Sequence, residues 1–292
     1  MYEPKNKQLG INSKYGYELG SLFRATEAME YQYGDLSGWT TQQFAEFLAK
    51  NRRLSYRACI SFKCIVKHYI ELCGEDTAEI SDLTVEDVYK EVVRLNIPVF
   101  WYSTRGLATT VRYSMETTEM RECGVFISDS IITASILLFC GLDFQELVKV
   151  RRDDVLRNGI WSFDFPTKIE RNTIESKIIM DYARSNIDGG EEVRALLPLV
   201  RGGKSGRQPL TEKAYLWKIR VANGGNPDMA RPGYEVTPQS ITLSGEFVRL
   251  YAKIGDTTPS KEELESIKQR GYVKIQIKDI EWFYKLFCMQ HK

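Results

Sequence analysis

Lys50, Arg52, Arg53, Arg57, Lys63 and Lys67 follow one another with no acid until Glu71. Cations gathered without counter-charges suit a polyanion, because each one set against a nucleic-acid phosphate releases condensed counterions. If residues 55–72 are helical, Arg57, Lys63 and Lys67 fall within roughly a third of the circumference, at about 100° per residue. Phe62, Ile65, Val66, Tyr69 and Leu72 take the other side. One face can then enter a core while the other meets phosphates, although the same composition also fits a solvated face with no partner. A second basic region holds Arg194, Arg201, Lys204, Arg207, Lys213, Lys218 and Arg220, with only Glu212 against it after Arg194. Its Gly-Gly-Lys-Ser at 202–205 is not a phosphate loop: the first glycine of that motif would fall on Pro198, and no strand leads in. It reads as a flexible basic loop. Lys168 and Arg171 lie on a turn-like stretch from Pro166 to Asn172.

Other chemistries find little support. The chain has six cysteines and two histidines. No Cys-x-x-Cys pair occurs, so no metal site is expected, and the cysteines read as buried free thiols. There is no dinucleotide fingerprint and no nucleophile–histidine arrangement, so no cofactor is expected. Hydrophobic residues make up 43% and charged residues 27% of the 292 residues, an ordinary globular balance with room for two modest domains. The net charge of +1 neither favours nor excludes nucleic acid, because distribution matters more than the total. No stretch approaches the roughly 18 apolar residues of a membrane span. The opening MYEPKNKQLG lacks a signal layout, so a cytoplasmic, nucleoid-associated protein with no membrane partner is expected.

The elements that must hold these cations are mostly helices. Residues 1–36 read as a loosely docked arm with a short helix near Leu19–Tyr31. Residues 37–116 read as a compact helical domain. Thr40 or Thr41 caps a helix through Phe44, Phe47 and Leu48; Ser55 caps one that runs to Leu72 and ends at Cys73-Gly74. Thr84 with Asp87 opens a third helix, which runs to Leu95 and is closed by Pro98; Tyr102–Met115 supplies a fourth. Residues 117–126 read as a linker and 127–292 as a second domain. There an apolar helix from Ile131 to Phe139 ends at Gly141. Alternation over Ile160–Phe165 and again over Thr173–Ile179 predicts a β-hairpin turning at Pro166–Asn172. Helices are expected at Glu191–Leu197, Thr211–Asn223, Ser240–Ile254 and Lys261–Arg270, with polar loops at 202–209 and 223–235.

That order resembles the phage-integrase (tyrosine recombinase) family over residues 38–292. The closest local likeness is Gly141-Leu142-Asp143, with Glu146-Leu147, Val150 and Asp154-Val155 in register with the family's Thr-Gly-Leu-Arg-x-x-Glu-Leu-x-x-Leu-x-x-x-Asp-Ile. Pro166-Thr167-Lys168 is similar to its Thr-Lys-Thr hairpin turn. Val236-Thr237-Pro238-Gln239 is similar to Thr-Pro-His-x-Leu-Arg-His, and Trp282-Phe283-Tyr284 falls where the family carries its nucleophilic tyrosine. The resemblance implies a mainly α fold with a small β-hairpin or sheet, made of a helical core-binding domain and a mixed α/β catalytic-like domain, closing as a clamp on double-stranded DNA.

The family's chemistry attacks a phosphate with a tyrosine hydroxyl, and two arginines with a lysine neutralise the charge that builds. Here the first arginine aligns with Asp143, an anion that would repel the phosphate. The His-x-x-Arg pair aligns with Gln239 and Thr242, so only Lys168 and Tyr284 survive as candidates. Losing one such donor costs about 10²–10³ in rate, and losing both arginines should abolish catalysis. Tyr284, between Phe283 and Leu286, also fits a core position. The expectation is therefore no catalytic site and no recombinase activity. What remains is a sequence-specific DNA-binding transcriptional regulator, of the kind a prophage repressor maintaining lysogeny represents. Its expected partners are duplex DNA and a small phage-encoded protein or peptide antagonist. The expected DNA-binding residues are Lys50, Arg52, Arg53, Arg57, Lys63, Lys67, Lys168, Arg171, Arg201, Lys204 and Arg207. The alternative is an active, divergent recombinase forming a tyrosyl–DNA intermediate through Tyr284.

Overall fold

The structure, a computed structural model, describes residues 12–116, 125–185, 197–202, 208–222, 237–270 and 275–292. It is mainly helical, and its chain divides into two compact units. The first comprises residues up to Ile97 together with Lys278–Gln290 and Lys292; the second comprises Pro98–Ile277 and His291.

The first unit opens with α1 (Gly16–Tyr33). Leu19, Leu22, Phe23, Thr26, Met29 and Glu30 are buried along it at helical spacing, so the helix expected near Leu19–Tyr31 is present, runs to 18 residues and is docked rather than loose. Phe23 meets Tyr69 edge-on, with ring centroids 5.0 Å apart. Helices α2 (Thr41–Lys50) and α3 (Tyr56–Cys73) are capped by Thr40 and Ser55, and Gly74 closes α3 in the left-handed conformation at φ 74°. The short α4 (Ala78–Asp82) leads into α5 (Val85–Arg94), opened by a Thr84–Asp87 capping box. Phe44, Phe47, Phe62 and Trp39 fill the space between α2 and α3. The unit is completed by α14 (Ile277–His291) from the far end of the chain. Sequence order places that helix in the second domain, 127–292, whereas it packs in the first unit. Its Asp279 accepts the backbone N–H of Tyr56 at 3.0 Å, and Trp282 stacks on Tyr56 at 6.2 Å with the rings 9° from parallel.

In the second unit, α7 (Val125–Phe139) is enclosed by α6 (Thr104–Glu116), α10 (Ile174–Arg184) and α12 (Pro238–Ile254). Its run from Ile131 to Phe139 is buried on every side, as a helix apolar all round must be. Close approach of α12 requires a glycine: a Cβ on Gly245 would stand 2.0 Å from the Phe139 carbonyl oxygen. Short helices α8 (Phe144–Leu147) and α9 (Arg152–Asn158) follow Gly141. Later come α11 (Glu212–Ala222) and α13 (Lys261–Arg270).

The expected hairpin at 160–179 is absent. Ile160–Ser162 forms a 3₁₀ turn, and Thr173 caps α10 by accepting the Ser176 amide at 3.2 Å. Burial of Ser176, Ile179, Met180 and Ala183 follows a helical period, which outweighs the strand preference of Ile174, Ile178 and Ile179. The alternation around Phe163 and Phe165 has a different cause: their rings stack on one another at 5.4 Å along a single extended segment. The sheet among the described residues lies elsewhere, in the stretch expected to be a polar loop. It pairs β1 (Arg201–Gly202) antiparallel with β2 (Gln208–Pro209), matching Arg201 to Pro209. The expected helix at 191–197 lies outside the described residues except for Leu197, and the expected linker is described only at Val125–Phe126, within α7.

Candidate nucleic-acid interface

The basic run of the first unit divides by what its members touch. Lys63 is used by the fold: its Nζ donates to the carbonyls of Ser81 and Leu83, each at 2.7 Å, placing a cation at the C-terminal end of α4. Lys50 pairs with Glu46 at 2.5 Å, and Glu46 is shared with Arg94. Arg52 has a left-handed backbone (φ 53°) after the C-cap of α2 and is only partly exposed. Arg53, Arg57 and Lys67 are exposed, and among the described residues no carboxylate pairs with them. Arg57 and Lys67 share the outer face of α3 with Ile60 and Cys64. They are separated by about 15 Å along the axis at 1.5 Å per residue. Cys64 is therefore not the buried thiol expected, whereas Cys59, Cys140 and Cys288 are buried; Cys123 lies outside the described residues. Burial pushes the Cys140 thiol up to about 12, so it stays protonated.

Beside the α3 face, α14 adds cations that a reading by sequence order left out. Lys278 Nζ sits 4.1 Å over the Tyr56 ring, and Lys285 Nζ sits 5.1 Å over Trp282 while pairing with Glu86 at 2.5 Å. Lys278, Trp282 and Lys285 recur at i, i+4 and i+7, a stripe visible in the sequence. Assigning 127–292 to one domain hid its place beside Tyr56.

In the second unit Lys168 is exposed, and Arg171 is exposed with its guanidinium 4.8 Å over Trp161. Arg201 is not a surface cation: it is 2% exposed and its guanidinium lies 4.9 Å over Tyr182, with Nη2 donating to Ser185 Oγ at 3.2 Å. Lys204 and Arg207 lie outside the described residues. Arg152, a neighbour of the missing first arginine, is buried and donates Nε to the Ala183 carbonyl at 2.7 Å.

The positions where the resemblance places catalysis hold other roles. Asp143 caps α8, accepting the Glu146 amide at 2.7 Å, while Glu146 accepts the Asp143 amide at 2.8 Å. Gln239 is half-buried in the first turn of α12, and Thr242 is 4% exposed within that helix. Tyr284 is 2% exposed in the first unit and stacks near Phe287 at 6.2 Å, with the rings 11° from parallel. Two further cations, Arg249, which the sequence did not single out, and Lys218, from the second basic region, are built into the interior of the second unit. Arg249 reaches the Phe139 carbonyl and the Thr167 hydroxyl. Lys218 is buried at 9% exposure, and desolvation holds its ammonium below the ordinary lysine range.

Among the described residues no group of His, Cys, Asp and Glu could hold a metal ion, and no helix is long and apolar enough to cross a membrane. Compared with family models, curated proteins and solved structures, the chain matches none.

Proposed function

We propose that this chain is a sequence-specific duplex-DNA-binding regulator of the prophage-repressor type, built on an integrase-like plan and carrying out no strand exchange. The observation that carries the reading is the outer face of α3 together with Arg53, which stands just before its cap. Within one acid-poor run, Lys63 and Lys50 are consumed by internal partners, while Arg53, Arg57 and Lys67 stay exposed and without a carboxylate partner among the described residues. Unpaired surface cations of this kind are what a phosphate backbone selects. Lys168 and Arg171 give the second unit exposed cations of its own.

Strand exchange is poorly served by the same residues. The carboxylate of Asp143 is engaged in a cap, Thr242 carries no charge, and the hydroxyl of Tyr284 belongs to a buried side chain. A small protein or peptide antagonist made by the same phage would complete a regulatory circuit of this type.

The test is to incubate the purified chain with sheared DNA of the genome that encodes it, recover bound fragments at moderate salt, and sequence them. The expected result is a short recurring site beside promoters. No enrichment over input by folded protein would overturn the reading. Enrichment at one locus with inverted repeats, joined to a covalent adduct at Tyr284 on nicked substrates, would replace it with the recombinase alternative.

A further inference from the structure

We infer that Arg249 is a positioning residue for Lys168, holding the turn from which that lysine meets a DNA backbone phosphate; the inference rests on the DNA-binding reading above. Arg249 is on α12, and its side chain is 17% exposed. Its Nη1 donates to the Phe139 carbonyl at 3.0 Å and to the Thr167 hydroxyl at 2.6 Å. Its Nη2 pairs with Glu246 at 2.8 Å, and Glu246 is steadied from the other side by Arg270 at 3.9 Å. One guanidinium therefore ties the end of α7 to the residue immediately before Lys168. The guanidinium plane fixes Nη2 beside Glu246 while Nη1 makes both tying bonds.

The surrounding backbone supports the same reading. The Thr167 amide donates to the Cys140 carbonyl at 3.0 Å. Gly141, at φ 100°, leaves room for Pro166, because a Cβ there would stand 2.9 Å from the proline ring. On the far side Ile169 is buried at 5% exposure. Lys168 is thus held between a clamped residue and a buried one, and it is itself exposed with no carboxylate partner among the described residues. A lysine on a free turn would have to be ordered when it binds. One on a clamped turn is set in advance, which removes that cost. Arg249 makes both of its hydrogen bonds through Nη1 and touches no ligand in this scheme; it acts through Thr167.

The test measures the affinity of the full chain for a mixed-sequence duplex of about 30 base pairs across a salt series. Lys168→Ala should flatten the slope of log affinity against log salt by about 0.9, the loss of one phosphate contact. Arg249→Gln should flatten it by the same amount, and Arg249→Gln with Lys168→Ala should flatten it no further than either alone. Because Arg249→Gln also disturbs Glu246, Thr167→Val serves as the gentler break: it keeps the shape and removes the acceptor. Thr167→Val should match Lys168→Ala, and Thr167→Ser, which keeps the hydroxyl, should match the parent. If Arg249→Gln and Thr167→Val lower the melting temperature but leave the slope unchanged, or if their effects add to that of Lys168→Ala, Arg249 is a structural clasp only and the inference falls. A parent chain with no salt-dependent duplex affinity would overturn the DNA-binding reading itself, and the inference with it, before any variant is compared.

Discussion

At position 143 a carboxylate satisfies an amide at the start of α8, and the returning bond from Glu146 closes the box. Removing such a cap costs about 1 kcal/mol, so Asp143→Ala should lower stability by that order. Asp143→Arg, which restores the residue of the resembled family, should cost at least as much. It should also yield no covalent DNA adduct on nicked duplexes, since Thr242 remains buried and uncharged. Lys218 makes the opposite case. Its ammonium is desolvated without a carboxylate partner among the described residues, and its pKa is lowered in the folded state. Below the folded value the lysine is charged in both states, and the fold bears the full desolvation cost. As pH rises through the folded value toward the ordinary lysine value of 10.5, the folded form sheds its proton first and stability increases. Lys218→Met should therefore stabilise the protein at neutral pH by on the order of 1 kcal/mol. The gain should shrink in denaturant titrations carried out toward pH 10. A gain that stays constant with pH would mean that the methionine helps through packing alone.

Among the elements, the pair α7 and α12 depends on one missing side chain. Gly245→Ala improves helix propensity by roughly 0.8–1 kcal/mol. Yet its Cβ would stand 2.0 Å from a backbone oxygen that cannot move without displacing α7. Overpacking of this kind costs about 1–3 kcal/mol, so the net change should be destabilising, measured as a lowered denaturation midpoint. Helix α14 supplies a second prediction. Tyr284 is 2% exposed in the core of the first unit. Tyr284→Ala should cost about 3–5 kcal/mol, the range for truncating a large buried aromatic side chain. Amide exchange should speed up in α2, α3 and α5, while α7 and α12 keep their protection. The reverse pattern would mean that α14 does not belong to the first unit. The helices of the first unit were legible because Thr40, Ser55, Gly74, Thr84 and Asp87 are local signals that act within a turn of where they stand. The partner of α14 was not legible. An amphipathic stripe says that one face is covered but not by what, and Asp279 finds Tyr56 across most of the chain. The hairpin reading failed for a related reason. Ile174, Ile178 and Ile179 favour strands when taken singly, but the Thr173 cap and the burial of Ser176, Ile179, Met180 and Ala183 set a period that only a helix satisfies.

For the whole molecule the net charge is +1, so any affinity for a polyanion must come from where the cations stand. The basic run was visible from residue types, but which of its members were free was not. By residue type Lys63 is equivalent to Arg57, yet its ammonium closes the end of α4. By residue type Arg201 is equivalent to Lys168, yet it is buried over Tyr182. The decisive variant is therefore Arg53→Glu with Arg57→Glu and Lys67→Glu, which leaves Lys63 in place and should not disturb the fold. It should flatten the salt dependence of DNA binding by about 2–3 in log–log slope. A control must carry the same change in net charge elsewhere. Arg157, Arg184 and Lys261 are exposed and each already faces a carboxylate, so reversing them to Glu removes as much positive charge from ion pairs of little stabilising value. If the face of α3 lies against DNA, the first triple should lose the slope and the control should keep nearly all of it. Equal losses would mean that the molecule responds to its overall charge, and the face of α3 would have no special part in binding.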